Sequence, residues 1–265
     1  FIQSNLRNLN YMDAKIVGRV PTGIKGLDEA LSGGLIRDSI NLIAGGPGRG
    51  KSIFALQYLI KGILEHNEHG VYLTFEETRD KLVRYMENFG WDLEKLEKEN
   101  KLRVIEISPK DVKNAVHNKN VGLKYGTAKY IKAKRIVIDS INAYSLLFPT
   151  ELAKREAHIN LFEMLRSWGV TVLLVAEYDV EEDKGSPLDF EVDGILRLYN
   201  FKKGDTRTRA IEIYKLRGSK HSTKTFPLEI IETNTSGRFS ADIPSGSYVF
   251  RPKGGNPFPI CKDQN

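Results

Sequence analysis

One run of eight residues constrains this chain more than any other: Gly45-Gly46-Pro47-Gly48-Arg49-Gly50-Lys51-Ser52, a complete GxxxxGK[ST] phosphate loop. An apolar stretch at residues 40–44 leads into it, and an apolar helical stretch at 53–64 leads out. The motif works only in that setting. Glycines let the backbone curl so that successive N–H groups point inward at phosphate oxygens. The helix that follows adds the partial positive charge of its N-terminus to the same spot. Gly45 to Ser52, with Ile53 behind them, are therefore the expected phosphate cradle. Lys51 is expected to reach the β- and γ-phosphates, and the Ser52 hydroxyl to ligate Mg²⁺. ATP and Mg²⁺ are the implied ligand and cofactor.

The rest of the chain suits a fold built round such a loop. Apolar runs at 39–44, 70–75, 102–107, 136–139 and 170–176 are continuous rather than alternating, as strands buried on both faces are. Helical patterns fall between them. Residues 52–64 follow the loop; 79–89 carry Leu82, Val83, Met86 and Phe89 at helical spacing; 154–168 place Ala157, Leu161, Leu165 and Trp168 on one face, with Gly169 as C-cap. This alternation predicts an α/β domain around a mostly parallel, twisted sheet flanked by helices. Strands at 194–198, 209–216 and 225–230 follow with little helix between them, which predicts an antiparallel C-terminal extension. From about Asn234 the periodicity dissolves among prolines and glycines.

A phosphate loop needs a carboxylate at the tip of a neighbouring strand to organise Mg²⁺. Residues 135–140 supply it, an apolar run ending in Asp139. Hydrolysis also needs a group that activates or orients the attacking water. The run at 71–77 ends in Glu76 and Glu77, and two like charges side by side at a crowded strand end are costly to keep. The pair is read as catalytic, with Lys51. The competing reading is an acidic helix start, because Thr78 and Arg79 open a helix.

Composition narrows the setting. Hydrophobic residues at 40% and charged residues at 28% are ordinary globular values and exclude wholesale disorder. The apolar runs stop short of the roughly 18 residues that cross a bilayer, and residues 1–11 are polar and mixed rather than signal-like. Cys261 is the single cysteine, which excludes intrachain disulfides and cysteine-based metal sites. The histidines (His66, His69, His117, His158, His221) are scattered, with no third ligand beside the His66–His69 pair. A soluble, cytoplasmic protein is expected. The net charge of +6 is concentrated: residues 110–135 and residues 202–224 each carry eight Lys or Arg.

These motifs carry a resemblance. Pro21-Thr22-Gly23-Ile24-Lys25-Gly26-Leu27-Asp28, then Gly33-Gly34-Leu35, the loop, the Glu76-Glu77 pair, Asp139, and Lys215-Leu216-Arg217-Gly218 resemble the KaiC-like branch of the RecA superfamily of ATPases. The resemblance covers about Thr22 to Ile231, one ATPase core where KaiC has two in tandem. It implies a RecA-like phosphate-loop core at residues 21–233, an N-terminal arm at 1–20 and a C-terminal tail at 234–265. It further implies that Glu76 and Glu77 are the paired catalytic glutamates and Asp139 the Walker B aspartate. Lys215 and Arg217 match basic residues that family members place against the γ-phosphate of an adjacent subunit. Phosphoryl transfer gains about 10³–10⁵ in rate from such a finger. A homo-oligomer, as a hexameric ring or a filament, follows. The phosphorylation site of the clock protein has no counterpart here beyond an isolated Thr150.

Three functions stay in view. The first is an ATPase whose sites are completed by neighbouring subunits. The second is a RadA-like recombinase paralogue that binds single-stranded DNA and modulates DNA repair. The third is a signalling scaffold that binds ATP and barely hydrolyses it. The catalytic residues favour the first over the third. Against the second stand six acids in residues 178–191 (Asp179, Glu181, Glu182, Asp183, Asp189, Glu191) opposite Lys184 alone, which repel a phosphate backbone. Any DNA binding is expected to be weak and carried by the two basic segments.

Overall fold

Continuous apolar runs are buried on both faces only if other strands flank them and helices cover them. The computed structural model, which describes residues 18–117, 131–180, 186–231 and 247–250, arranges the chain that way. Its strands are β1 Arg19–Val20, β2 Leu35–Ile36, β3 Ile40–Ala44, β4 Gly70–Thr74, β5 Leu102–Glu106, β6 Arg135–Asp139, β7 Thr171–Ala176, β8 Gly194–Lys203, β9 Thr206–Leu216, β10 Thr225–Ile231 and β11 Ser247–Phe250. Nine of them form one sheet in the order β11-β10-β9-β8-β3-β7-β6-β4-β5, and β1 and β2 pair separately. From β8 to β5 every pairing is parallel. From β8 outward through β11 every pairing is antiparallel. The α/β class, the mostly parallel sheet and the antiparallel C-terminal side are all present. β8 belongs to both parts, parallel to β3 on one edge and antiparallel to β9 on the other.

Two expectations shift in detail. β5 is the sheet's edge, so its burial alternates instead of being continuous. The β8–β9 hairpin is longer than the apolar runs suggest, because alternating polar residues extend it from Leu198 to Lys203 and back from Thr206. Its turn at Gly204 has a φ of 58°, the left-handed region where a side chain is strained.

Each strand sends alternate side chains to two cores. Ile43, Val137, Leu173 and Leu196 join Phe54, Tyr58 and Leu59 of the helix Lys51–His66 on one face. Leu42, Ile138, Leu174 and Ile195 join Leu161, Phe162 and Leu165 of the helix Glu151–Ser167 on the other. Helix starts are capped by the rules: Thr78, Asp92 and Thr150 each accept a backbone N–H from the residue three further on. That engagement gives Thr150 a structural use. The helix Lys51–His66 differs, for its N-cap is left-handed Gly50 with no side-chain cap.

Arg135 and Arg197 are the largest of the fully buried side chains among the described residues. Arg135, 0% exposed at the start of β6, lies against Gly62 of that helix and pairs with Glu68 at 2.7 Å. Much of the arm at 1–20, most of the tail at 234–265, part of the basic segment at 110–135 (with Tyr125 and Tyr130) and the acids Glu181, Glu182 and Asp183 lie outside the described residues. Among the described residues no helix is long and apolar enough to cross a membrane.

Candidate active site

The phosphate loop leaves the C-terminal end of β3, between β8 and β7. A side chain at Gly45 would put its Cβ 2.7 Å from the Leu198 carbonyl oxygen, so β8 and the loop can touch only because glycine is there. Gly50 turns at a φ of 93° to launch the helix. Arg49 reaches back to donate to the Leu198 carbonyl at 3.0 Å, and its other nitrogen lies 3.9 Å from Asp179.

Lys51 is only 8% exposed. Its Nζ donates to the Gly46 carbonyl at 2.9 Å and lies 3.7 Å from the Glu177 carboxylate. Burial pulls its pKa below the ordinary lysine value, while Glu177 and Asp139 pull the other way. The ammonium is held by a loop carbonyl and by the Glu177 carboxylate.

Register then brings the second carboxylate to the loop. Asp139 ends β6 level with Thr74 of β4 and Val175 of β7. Its Oδ2 accepts the Ser52 hydroxyl at 2.7 Å and also the Tyr72 hydroxyl. Burial first, and Asp139 second, push the Tyr72 phenol well above its usual pKa. Ser140, the next residue, donates from its hydroxyl to Glu76 at 3.2 Å. Glu77 has other partners, although its charge still reaches the Tyr72 hydroxyl. It lies 3.4 Å from Lys81, and its backbone N–H donates to the Thr74 hydroxyl at 3.1 Å. The two adjacent glutamates are thus unequal. Glu76 faces the end of β6, and Glu77 is engaged at the helix start.

Sequence reasoning passed over Glu177 and Tyr72. Glu177 follows the last residue of β7, and its backbone is clamped by Asn142, which accepts its N–H at 2.7 Å and donates to its carbonyl at 2.9 Å. The available signal was an acid directly after a buried strand, the same signal that marked Asp139. Tyr72 carries no such mark, being one apolar-run residue among others.

Lys215 and Arg217 lie elsewhere. Lys215 pairs with Ile195, which pairs with Leu42, so it stands two strands, about 10 Å, from the middle of β3. The Arg217 N–H donates to the Asp193 carbonyl, and the Asp193 N–H to the carbonyl of Ile40, the first residue of β3. Arg217 is therefore at the end of the sheet opposite the phosphate loop. The Lys215 Nζ donates to the Asp189 carbonyl and an Arg217 nitrogen to the Phe190 carbonyl, each at 2.6 Å. Burial, then Arg217, lowers the pKa of Lys215. Two of the acids that argued against DNA are committed to packing. Asp189 is 3.5 Å from buried Arg197, and Glu191 is 3.0 Å from Arg155.

The groups present fit a nucleotide with Mg²⁺. The glycines and the uncapped helix start offer N–H donors to phosphates. Ser52 and Asp139 are hard oxygen ligands 2.7 Å apart, and Mg²⁺ takes one or two such protein ligands together with substrate phosphates.

Comparisons with known proteins point the same way. The family described as "ATPase: KaiC" matches residues 20–236. The circadian clock oscillator protein KaiC of Prochlorococcus marinus subsp. pastoris is 35% identical over 80% of this chain and 43% of its own length, so the chain spans less than half of that relative. A UPF0273 protein of Methanocaldococcus jannaschii is 34% identical over 80% of this chain and 93% of its own. The crystal structure of a KaiC-like protein from Pyrococcus horikoshii shares 35% identity at a TM-score of 0.74, covering 89% of this chain and all of that one.

Proposed function

The chain belongs to the KaiC family of the RecA superfamily of ATPases, and on that premise we propose that it binds ATP with Mg²⁺ and hydrolyses it at sites completed by a second copy of itself. The observation that carries this reading is the convergence of Lys51, Ser52, Asp139 and Glu76 on one end of the sheet, while Arg217 stands at the other end and Lys215 two strands to the side of β3. Gly45 to Ile53 cradle the phosphates, all but Pro47 through backbone N–H groups, and the Lys51 ammonium neutralises the β- and γ-oxygens. Ser52 and Asp139 hold Mg²⁺, which when bound neutralises charge that develops on those oxygens. Glu76 accepts a proton from, or orients, the attacking water, with Glu77 beside it.

A site so equipped still calls for a cation on the γ-phosphate, and on this reading Lys215 and Arg217 of the same copy do not supply it. Lys215 and Arg217 reach a γ-phosphate only across an interface, which makes a ring or filament of copies the working form. ATP then stabilises that interface, because a ligand bound by both copies favours the assembled state. On this reading the catalytic domain is residues 21–233, with 1–20 as an arm and 234–265 as a tail.

Mixing tests the reading. Arg217→Ala subunits and Glu76→Gln/Glu77→Gln subunits, each inactive alone, should recover partial ATPase activity together, because some interfaces pair an intact base with an intact finger. Mixed oligomers that form and stay inactive, or a wild-type monomer with full activity, would refute the shared site.

A further inference from the structure

Tyr72 is 0% exposed in the middle of β4, and its ring lies in the core that covers the phosphate-loop helix. A phenylalanine would fill that place at no cost in desolvation. A buried phenol needs an acceptor; its hydroxyl donates to Asp139 Oδ2, and the Ser52 hydroxyl is also within its hydrogen-bonding reach. The same oxygen accepts the Ser52 hydroxyl at 2.7 Å. Asp139 is half-buried at the end of its strand, and a lone carboxylate there can turn about Cβ–Cγ. Two hydroxyls arriving from different elements, β4 and the phosphate-loop helix, stop that rotation. They also join Ser52 and Asp139, the two residues suited to one cation, into a single unit anchored in the core.

Resting on the ATP–Mg²⁺ reading above, we propose that Tyr72 is a positioning residue that orients the Asp139 carboxylate toward the Mg²⁺ of the bound nucleotide. It touches neither metal nor phosphate. Its effect passes through Asp139, so it governs how much Mg²⁺ the site needs rather than whether the nucleotide enters. Outer partners of metal ligands contribute about 10–100-fold to metal affinity.

The test is a Mg²⁺ titration of fluorescent-ATP binding to the full chain, starting from chelated conditions. Wild type, Tyr72→Phe, Asp139→Asn and the double variant are compared, with thermal melts alongside. Tyr72→Phe should raise the half-saturating Mg²⁺ concentration about tenfold and leave nucleotide affinity without Mg²⁺ unchanged. Asp139→Asn should raise it at least as far, and the double variant no further than Asp139→Asn alone. A wild-type Mg²⁺ midpoint in Tyr72→Phe, with Asp139→Asn shifted, would overturn the positioning role and leave the site reading intact. If Asp139→Asn also keeps the wild-type midpoint, both fall. A lower melting temperature with the midpoint unmoved makes the hydroxyl purely structural, which also overturns the proposal.

Discussion

Replacing Gly62 with alanine should destabilise this protein, against the usual direction of that change in a helix. In a helix interior alanine is favoured over glycine by about 0.8–1.0 kcal/mol. Gly62 lies inside the helix Lys51–His66, yet a Cβ there would sit 2.3 Å from Arg135 Nε and 2.6 Å from its Cδ and Cζ. Contacts that short require the guanidinium to move, and it has nowhere better to go. Arg135 is 0% exposed, donates from Nε to a Glu68 oxygen at 2.8 Å with a second nitrogen 2.7 Å from that oxygen, and donates to the carbonyls of Pro21 at 2.8 Å and Tyr58 at 2.9 Å. It also lies 4.7 Å from the centre of the Tyr58 ring. Losing a buried pair of this kind costs about 3–5 kcal/mol. Offset by the helix gain, the net loss is about 2–4 kcal/mol. For a domain of this size that lowers the melting temperature by about 5–15 °C. Thermal and urea unfolding of Gly62→Ala measure it directly. Gly62→Ala placed in an Arg135→Leu background supplies the control: with the guanidinium gone, the alanine should be neutral or stabilising. A Gly62→Ala protein as stable as wild type would show that the buried arginine relaxes freely and that the reasoning is wrong.

Other outcomes follow from the site and the cores. Lys51→Ala should weaken ATP binding by at least tenfold with an unchanged melt of the nucleotide-free protein, measured by calorimetry; undiminished affinity would remove the phosphate-loop reading. Glu76→Gln should slow ATP turnover by about 10²–10⁴ with binding retained, and Glu77→Gln should do less, because Glu77 lies 3.4 Å from Lys81 instead of facing Ser140; equal losses in a steady-state assay would contradict that split. Burial lowers the pKa of His158 from 6.5 to about 4, so the folded chain binds fewer protons than the unfolded one between those values. Stability is therefore present above pH 6.5 and lost as pH falls towards about 4. His158→Gln should flatten urea-unfolding stability across that window, and an unaltered slope would refute the assignment.

The loop, the alternation of strand and helix, and Asp139 were readable from the chain because each rests on neighbours in sequence. Glycine spacing, an apolar run's length and a helix's period are local quantities. Arg135 shows where that legibility stops, for nothing local marks a basic residue before an apolar run as fully buried. Its burial depends on Gly62, Glu68, Pro21 and Tyr58 meeting it from three other segments.

Strand order is the quantity no local pattern holds. β3 lies between β7 and β8, both far downstream, and that placement brings Glu177 beside Lys51. The β4–β6 pairing likewise brings the Tyr72 hydroxyl to Asp139. The chain by itself determined that a phosphate loop would close a strand and open a helix, since backbone freedom and apolar period dictate it. Only the tertiary structure decided which acids face that loop and which strand forms the edge. It alone stationed Arg217 at the far end of the sheet and Lys215 two strands to the side of β3, because the parallel β3–β8 register that carries β9 with it is settled by packing between segments distant in sequence.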